Sequence, residues 1–185
     1  MNNFLDKIRI SDYNWYYHIY YLGLNNHALG DTFYFFAKYG VVISFLSFTY
    51  LIWVKKINAF ICSFLAMAIA GSFDLLITIF WDRPRPFITH HDLAEPITQG
   101  LRVDPTSFPS GHTYIAFAIA TSIFLYGHRR LGIFLFLVAI GVAVGRIGAG
   151  LHYPSDIIAG ALLGIISGVV AYLIVQKAEE KWDAK

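Results

Sequence analysis

Apolar residues run along this chain in long blocks separated by short polar clusters, and about 20 such residues are what one helix needs to cross a bilayer core. Five blocks stand out: roughly 31–54, closed by Lys55-Lys56; 57–81, closed by Asp82-Arg83-Pro84-Arg85-Pro86; 113–127; 131–145; and 157–175. Lipid leaves a backbone N–H or C=O no partner but its own helix, so the pattern predicts an all-α integral membrane fold with about five transmembrane helices. The third and fourth blocks fall short of a full span if only uncharged residues are counted. Their polar ends, His112 and Arg146, are therefore expected just inside the bundle, where ionisable groups are costly and usually functional.

Residues 1–30 follow a different pattern. Asp6, Lys7, Arg9 and Asp12 interrupt any apolar core, so the segment does not read as a cleaved signal peptide and is expected to remain. Its Trp15, Tyr16, Tyr17, Tyr20 and Tyr21 have the aromatic-belt composition of the lipid headgroup region, which predicts an N-terminal interfacial helix; a helix packed on the bundle is the alternative. The whole span 1–185 reads as a single membrane-embedded domain, with 83–111 as one outer loop.

Composition agrees with the pattern: 57% of the 185 residues are hydrophobic and 14% charged, and mean hydropathy is +0.55. A formal net charge of +2, spread between apolar blocks, argues against a nucleic-acid partner. Cys62 is the only cysteine, in apolar surroundings, and reads as an inert buried thiol. If five spans alternate, Lys55, Lys56, His128, Arg129, Arg130 and the tail from Gln176 to Lys181 share one side, which the positive-inside rule makes cytoplasmic. The N-terminal segment, the 83–111 loop and the 146–155 turn then fall on the periplasmic or extracellular side. Gly160, Gly164 and Gly168, and Gly141, Gly145, Gly148 and Gly150, have the small-residue spacing that lets helices approach closely. That spacing would bring 146–156 against the other polar segments; a homodimer through the same glycine faces is the alternative.

Three segments on that outer side carry the candidate chemistry: Arg83-Pro84-Arg85-Pro86, Pro109-Ser110-Gly111-His112, and Arg146 followed by His152 and Asp156. They supply guanidinium donors for an oxyanion, two histidines able to serve as nucleophile and acid, and a carboxylate to orient one of them, which together make a phosphoryl-transfer set. Ser110 precedes an apolar helix as its N-cap, so the N–H groups of Gly111 and His112 can meet an anion. Pro154 suits a first helical position, which puts Asp156 in the first turn, close enough to accept the Nδ1–H of His152 and leave Nε2 free to attack. His90, His91 and Asp92 raise a metal site, but adjacent side chains point apart in extended chain. Outer-loop residues near the substrate headgroup are the simpler reading, and no metal or cofactor is expected. Arg102 and Asp104 read as an exposed ion pair in the same loop.

The order and spacing of these motifs resemble the type 2 phosphatidic acid phosphatase superfamily, whose pattern is Lys-x6-Arg-Pro, then Pro-Ser-Gly-His, then Ser-Arg-x5-His-x3-Asp. The resemblance covers about 78–156 and the spans around it. It implies that Arg85, Ser110, Gly111 and Arg146 bind phosphate, that His152 attacks phosphorus, that His112 protonates the leaving oxygen, and that Asp156 holds His152. A phosphohistidine would form and be hydrolysed by water. Two positions depart from the pattern: Thr78 stands where the family has lysine, and Gly145 replaces the serine before Arg146. Losing the lysine removes a cation whose charge-assisted hydrogen bond is worth about 1.5–3 kcal/mol. Arg83 either supplies that cation or anchors at the headgroup level, so Arg83 and Thr78 join the candidate phosphate site.

A site opening outward between helices suits a substrate with its tail in the bilayer, hence a lipid phosphate. Size and the Arg-Pro-Arg-Pro-Phe stretch look most like bacterial undecaprenyl diphosphate phosphatases of the plasma membrane, which release one phosphate from the cell-wall carrier lipid. Phosphatidylglycerophosphate, phosphatidate and lipid A 1-phosphate stay open. A non-catalytic lipid-phosphate binder or transporter is a second class, favoured by the absent lysine and disfavoured by two histidines and Asp156, ionisable groups that a binder does not need. Soluble haloperoxidases share the motif set, but five apolar blocks speak against them.

Overall fold

The computed structural model describes residues 4–90 and 105–184. Among these the chain is helical apart from short connections and one isolated bridge between Pro84 and Thr106. The helices are α1 Phe4–Asn25, α2 His27–Trp53, α3 Ile57–Phe80, α4 Pro86–Thr89, α5 Gly111–Leu125, α6 Arg129–Gly148 and α7 Pro154–Asp183. Four of them, α2, α3, α6 and most of α7, are long and apolar enough to cross a membrane, and α5 is a shorter apolar helix. The expected helical bundle is thus present: α6 and α7 reach past their apolar blocks at both ends, α2 and α5 start before theirs, and α3 stays within its block.

The shortest of the five lies innermost. At 15 residues, α5 is about 22 Å long at 1.5 Å per residue, short of the roughly 30 Å hydrocarbon thickness. It is packed by α3, α6 and α7 and buries Thr113, Tyr114, Ala116 and everything from Ala118 to Ile123. A helix sheathed by protein need not match the bilayer thickness.

Glycine sets these contacts. A methyl group on Gly160 would stand 2.7 Å from the main-chain oxygen of Ser110, and one on Gly168 2.7 Å from Thr121 Cβ, so this face of α7 is closed against α5. On α6, Gly141, Gly145 and Gly148 press on Phe33 and Phe36 of α2 in the same way. The expected close packing is therefore intramolecular. Within the chain, α5 and α2 occupy these glycine faces.

Residues 26–30 do not belong to the N-terminal helix. Asn26 ends α1 and caps α2, its side chain accepting from the Leu29 N–H at 3.2 Å. α1 packs Tyr16 and Tyr20 into a cluster with Ala143, Ile147, Tyr153 and Ile157, and turns Ile10, Trp15 and Leu22 outward. It is a bundle helix on one face and has interfacial composition on the other.

The basic clusters meet at one end of the bundle. Asn58 at the start of α3 hydrogen-bonds Glu179 near the end of α7, and His128 is close enough to Lys56 to feel its charge. The connections at 81–90, 105–110 and 149–153 gather at the opposite end, where the chemistry-bearing residues lie.

Candidate active site

Two features of local chain geometry deliver His152. α6 ends in a Schellman motif: Gly150 N donates to Ile147 O at 2.9 Å and Leu151 N to Arg146 O at 3.0 Å, with Gly150 at φ +81°. That left-handed conformation favours glycine, and it folds the chain back so that residue 152 returns toward residue 146. α7 then starts at Pro154, whose ring suits a first helical position, and Asp156 in the first turn accepts from the Tyr153 N–H at 2.9 Å.

The return places the ring of His152 between two guanidinium groups. Its Nε2 lies 2.9 Å from Arg85 Nη1 and 3.1 Å from Arg146 Nη2, while Nδ1 lies 2.8 Å from the main-chain oxygen of Ser107. These partners settle the tautomer. Guanidinium nitrogens only donate and a carbonyl only accepts, so Nδ1 carries the hydrogen and Nε2 presents its lone pair. His152 is 1% exposed; burial first, then the charges of Arg146 and Arg85, push its pKa well below the usual histidine value and keep the ring neutral. Arg85 is anchored further by donating to Leu151 O at 3.0 Å.

Asp156 is not the direct partner of His152 Nδ1. Its Oδ2 stands 3.6 Å from Nδ1, beyond hydrogen-bond range, and is taken by the Ser107 hydroxyl and the Tyr153 N–H. The expected carboxylate–imidazole hydrogen bond is thereby corrected: the carboxylate caps α7 and holds Ser107, and the Ser107 carbonyl holds the imidazole. Arg83 is also relocated. Its Nη1 donates to Asp156 Oδ1 at 2.7 Å and Ser155 Oγ at 2.6 Å, its Nη2 to Asp12 Oδ2 at 2.6 Å, and its plane covers the Tyr153 ring at 4.1 Å. Two carboxylates thus claim its two terminal nitrogens.

The other expected site residues are placed as follows. Ser110 occupies the N-cap position of α5 but makes no side-chain cap bond; its hydroxyl accepts from Thr113 Oγ1 at 3.0 Å, and its N–H donates to Asp156 O at 3.1 Å. Gly111 and His112 are the first two residues of α5, where N–H groups point out of the helix. His112 is half-buried and close enough to Arg85, Arg146 and His152 to interact with their charges. Thr78 uses its hydroxyl on its own helix, donating to Asp74 O and Leu75 O at 3.0 Å. His90 packs at a tilt on Tyr13, ring centroids 4.4 Å apart, and meets Tyr153 edge-on at 6.4 Å. No metal-ligating cluster occurs among the described residues, and His91, Asp92, Arg102 and Asp104 lie outside them.

The arrangement can do oxyanion chemistry: two cationic donors and a helix N-terminus converge around an imidazole nitrogen whose lone pair is unprotonated. The comparisons agree. The sequence model of the PAP2 superfamily matches residues 59–180, a stretch that holds all three motifs. The chain belongs to the PAP2 superfamily.

Among PAP2 relatives, the bacitracin transport permease protein BcrC of Bacillus licheniformis is 31% identical over 163 residues, covering 84% of this chain and 76% of that protein. Undecaprenyl-diphosphatase BcrC of Bacillus subtilis is 33% identical over 101 residues, 54% of this chain and 49% of its own length. A lipid A 4'-phosphatase of Porphyromonas gingivalis is 31% identical over 182 residues, 88% of this chain and 74% of that protein. The crystal structure of Aquifex aeolicus LpxE superposes with a TM-score of 0.58 at 29% identity, covering 88% of this chain and 85% of that one. This PAP2 chain is a membrane lipid phosphatase.

Sequence reasoning did not find Asp12, Ser107 or Ser155. Ser107 acts on His152 through a main-chain oxygen, for which no residue type is diagnostic. Asp12 gave one signal, a carboxylate inside an aromatic cluster, where burial demands a partner.

Proposed function

We propose that this PAP2 phosphatase hydrolyses undecaprenyl diphosphate to undecaprenyl phosphate, with His152 as nucleophile. The observation that carries the mechanism is the lone pair of His152 Nε2 held between Arg85 and Arg146. The terminal phosphoryl group binds to those guanidiniums and to the N–H groups of Gly111 and His112 beside Ser110. Nε2 attacks the terminal phosphorus; the N–P bond forms as the bond from that phosphorus to the bridging oxygen of the diphosphate breaks, and His112, protonated when the bound phosphate offsets the charges of Arg85 and Arg146, gives its proton to that leaving oxygen. Water then attacks the phosphohistidine, His112 takes a proton from it, and the N–P bond breaks to release phosphate. The charge that develops on the phosphoryl oxygens is met by fixed donors, which need no reorganisation.

The lipid is argued from the relative named undecaprenyl-diphosphatase and from the Arg-Pro-Arg-Pro-Phe stretch. A lipid A phosphate is the second reading, favoured by the P. gingivalis lipid A 4'-phosphatase, which matches 88% of this chain. The site faces the periplasm or cell exterior in this proposal, because Lys55, Lys56, Arg129, Arg130 and Lys181 crowd the other end of the bundle and mark it cytoplasmic.

The test is phosphate release from undecaprenyl diphosphate, lipid A, phosphatidylglycerophosphate and phosphatidate by purified protein in excess EDTA. The expected result is fastest turnover of undecaprenyl diphosphate, lost in His152→Ala. Faster turnover of lipid A moves the substrate to the second reading, and full activity in His152→Ala overturns the mechanism.

A further inference from the structure

The residues that hold the nucleophile do not end with the three motifs. Asp12 sits in the middle of α1, a helix outside the four long spans, and is buried. Its Oδ1 accepts from Ser155 N at 2.8 Å, and its Oδ2 accepts from Ser155 Oγ and Arg83 Nη2, each at 2.6 Å. Arg83 passes the connection on through Nη1 to Asp156 Oδ1 at 2.7 Å; Asp156 Oδ2 receives the Ser107 hydroxyl; and the Ser107 carbonyl takes the His152 Nδ1 hydrogen at 2.8 Å. Every link is a hydrogen bond between buried or half-buried groups.

We propose that Asp12, acting through Arg83, is a positioning residue for the phosphatase reaction: it holds half of the Arg83 guanidinium so that Asp156 keeps one carboxylate oxygen for Ser107. The proposal rests on His152 being the nucleophile. The reason lies in how the guanidinium is divided. Arg83 splits its two terminal nitrogens between two carboxylates, one on α1 and one on α7. A guanidinium prefers a bidentate pair with one carboxylate when it can form it. Without the charge of Asp12, Nη2 is released and the fork closes on both oxygens of Asp156. That draws Oδ2 from the Ser107 hydroxyl, loosens the 105–108 segment, and lets the carbonyl that fixes the His152 tautomer drift.

A purely structural role is the competing account, since a buried carboxylate–guanidinium–carboxylate set also glues α1 to the bundle. Such sets are poor glue, because desolvation of the charges offsets much of their attraction and apolar residues of similar volume do as well. The α1 contact already has its glue in Tyr16 and Tyr20. The two accounts differ in what they move. Positioning changes the attack step and leaves phosphate binding to Arg85 and Arg146; a loosened bundle changes both, and the melting temperature with them.

The experiment uses the full-length protein in detergent micelles with a lipid diphosphate substrate. Kinetic constants, the inhibition constant for inorganic phosphate and the thermal midpoint are compared for wild type, Asp12→Asn, Asp12→Glu, Arg83→Gln, the Asp12→Asn/Arg83→Gln double variant, Ser107→Ala and His152→Ala. In Asp12→Asn we expect kcat to fall about 10-fold or more, as for other residues that orient a reacting group, with KM and the phosphate inhibition constant within about 3-fold. Asp12→Glu should recover part of kcat, and the double variant should be no slower than the slower single variant, because both break one chain.

Ser107→Ala removes one hydroxyl and leaves both ion pairs, so it should fold where an α1 variant does not, and it should lose kcat in the same manner. A wild-type kcat in folded Asp12→Asn or in Ser107→Ala overturns the proposal. So do multiplicative losses in the double variant, or kcat, KM and thermal midpoint falling together. His152→Ala separates this outcome from the larger one. Full activity there overturns the nucleophile and this proposal with it, whereas an inert His152→Ala beside a wild-type-like Asp12→Asn overturns the proposal alone.

Discussion

His152 donates its Nδ1 hydrogen to the main-chain oxygen of Ser107, 2.8 Å away, while Asp156 Oδ2 stands at 3.6 Å. A carbonyl cannot be removed by substitution and cannot change its protonation. The tautomer of His152 is therefore secured by a group that neither substitution nor pH can remove.

It follows that Asp156→Asn should be milder than the same change where a carboxylate is itself the tautomer's anchor, which costs about 10⁴-fold in kcat. We expect a loss of about 10- to 100-fold, the range for residues that orient a reacting group at one remove. The amide retains one acceptor for Ser107 or the Tyr153 N–H but not both. Initial-rate assays decide it: a fall to the level of His152→Ala would return Asp156 to direct contact.

The pH dependence follows from the lowered pKa of His152. A histidine whose folded pKa lies below its unfolded value, about 6.5, binds fewer protons when folded. Its contribution to stability is complete above pH 6.5 and is lost as pH falls from there toward the folded pKa, with a slope of at most about 1.4 kcal/mol per pH unit. Unfolding midpoints of wild type and His152→Gln, measured from pH 7.5 down to 5, should therefore converge as pH falls. Parallel curves would show that the ring is not held neutral.

Glycine positions separate packing at the site from packing elsewhere. A methyl group at Gly160 would press on the Ser110 main-chain oxygen at 2.7 Å, where backbone cannot give way cheaply. We expect Gly160→Ala to cost about 1–3 kcal/mol of stability and to lower kcat by shifting the start of α5. Gly127 has open space around it but sits at φ +90° at the far end of α5. Gly127→Ala should lower the melting temperature through the roughly 1–2 kcal/mol left-handed penalty and leave kcat alone. Loss of kcat in both, or in neither, would break the distinction.

Thr78 lies one turn beyond Asp74 on α3, and Asp74 accepts from Tyr114 OH at 3.3 Å. A lysine at 78 would meet that carboxylate in the favoured acid-before-base spacing. Thr78→Lys alone should therefore improve phosphate inhibition little, and Thr78→Lys with Asp74→Asn should lower the inhibition constant about 10-fold or more, as an added charge-assisted bond requires. If the double variant binds phosphate no better than wild type, position 78 lies outside the pocket.

Membrane class and the helical bundle were legible in the chain, and so were Arg85, Arg146, His112 and His152 as the groups that the fold gathers at one end. Each depends on local chemistry: apolar runs that must be helical in lipid, a proline suited to start a helix, spacings that keep 146, 152 and 156 around one helix–helix connection. Arg83 and Arg85 could not be told apart in the chain, because the two have the same side chain and the same following proline. Only folding brings Asp12 from the other end of the chain to claim one of the two.

What the sequence by itself determined is the inventory and the solvent: which groups can attack, donate or cap, and that they do so at the edge of a bilayer. Tertiary structure alone decided who pairs with whom. The hydrogen bonds to Ser107, Asp12 and Asp156 span 45 to 143 positions of chain, and their geometry is set by how α1, α5 and α7 pack. A residue's type limits what it can donate or accept, and three-dimensional proximity selects among the partners that qualify. For His152 the selected partner was a peptide carbonyl, a group every residue carries and no sequence pattern marks.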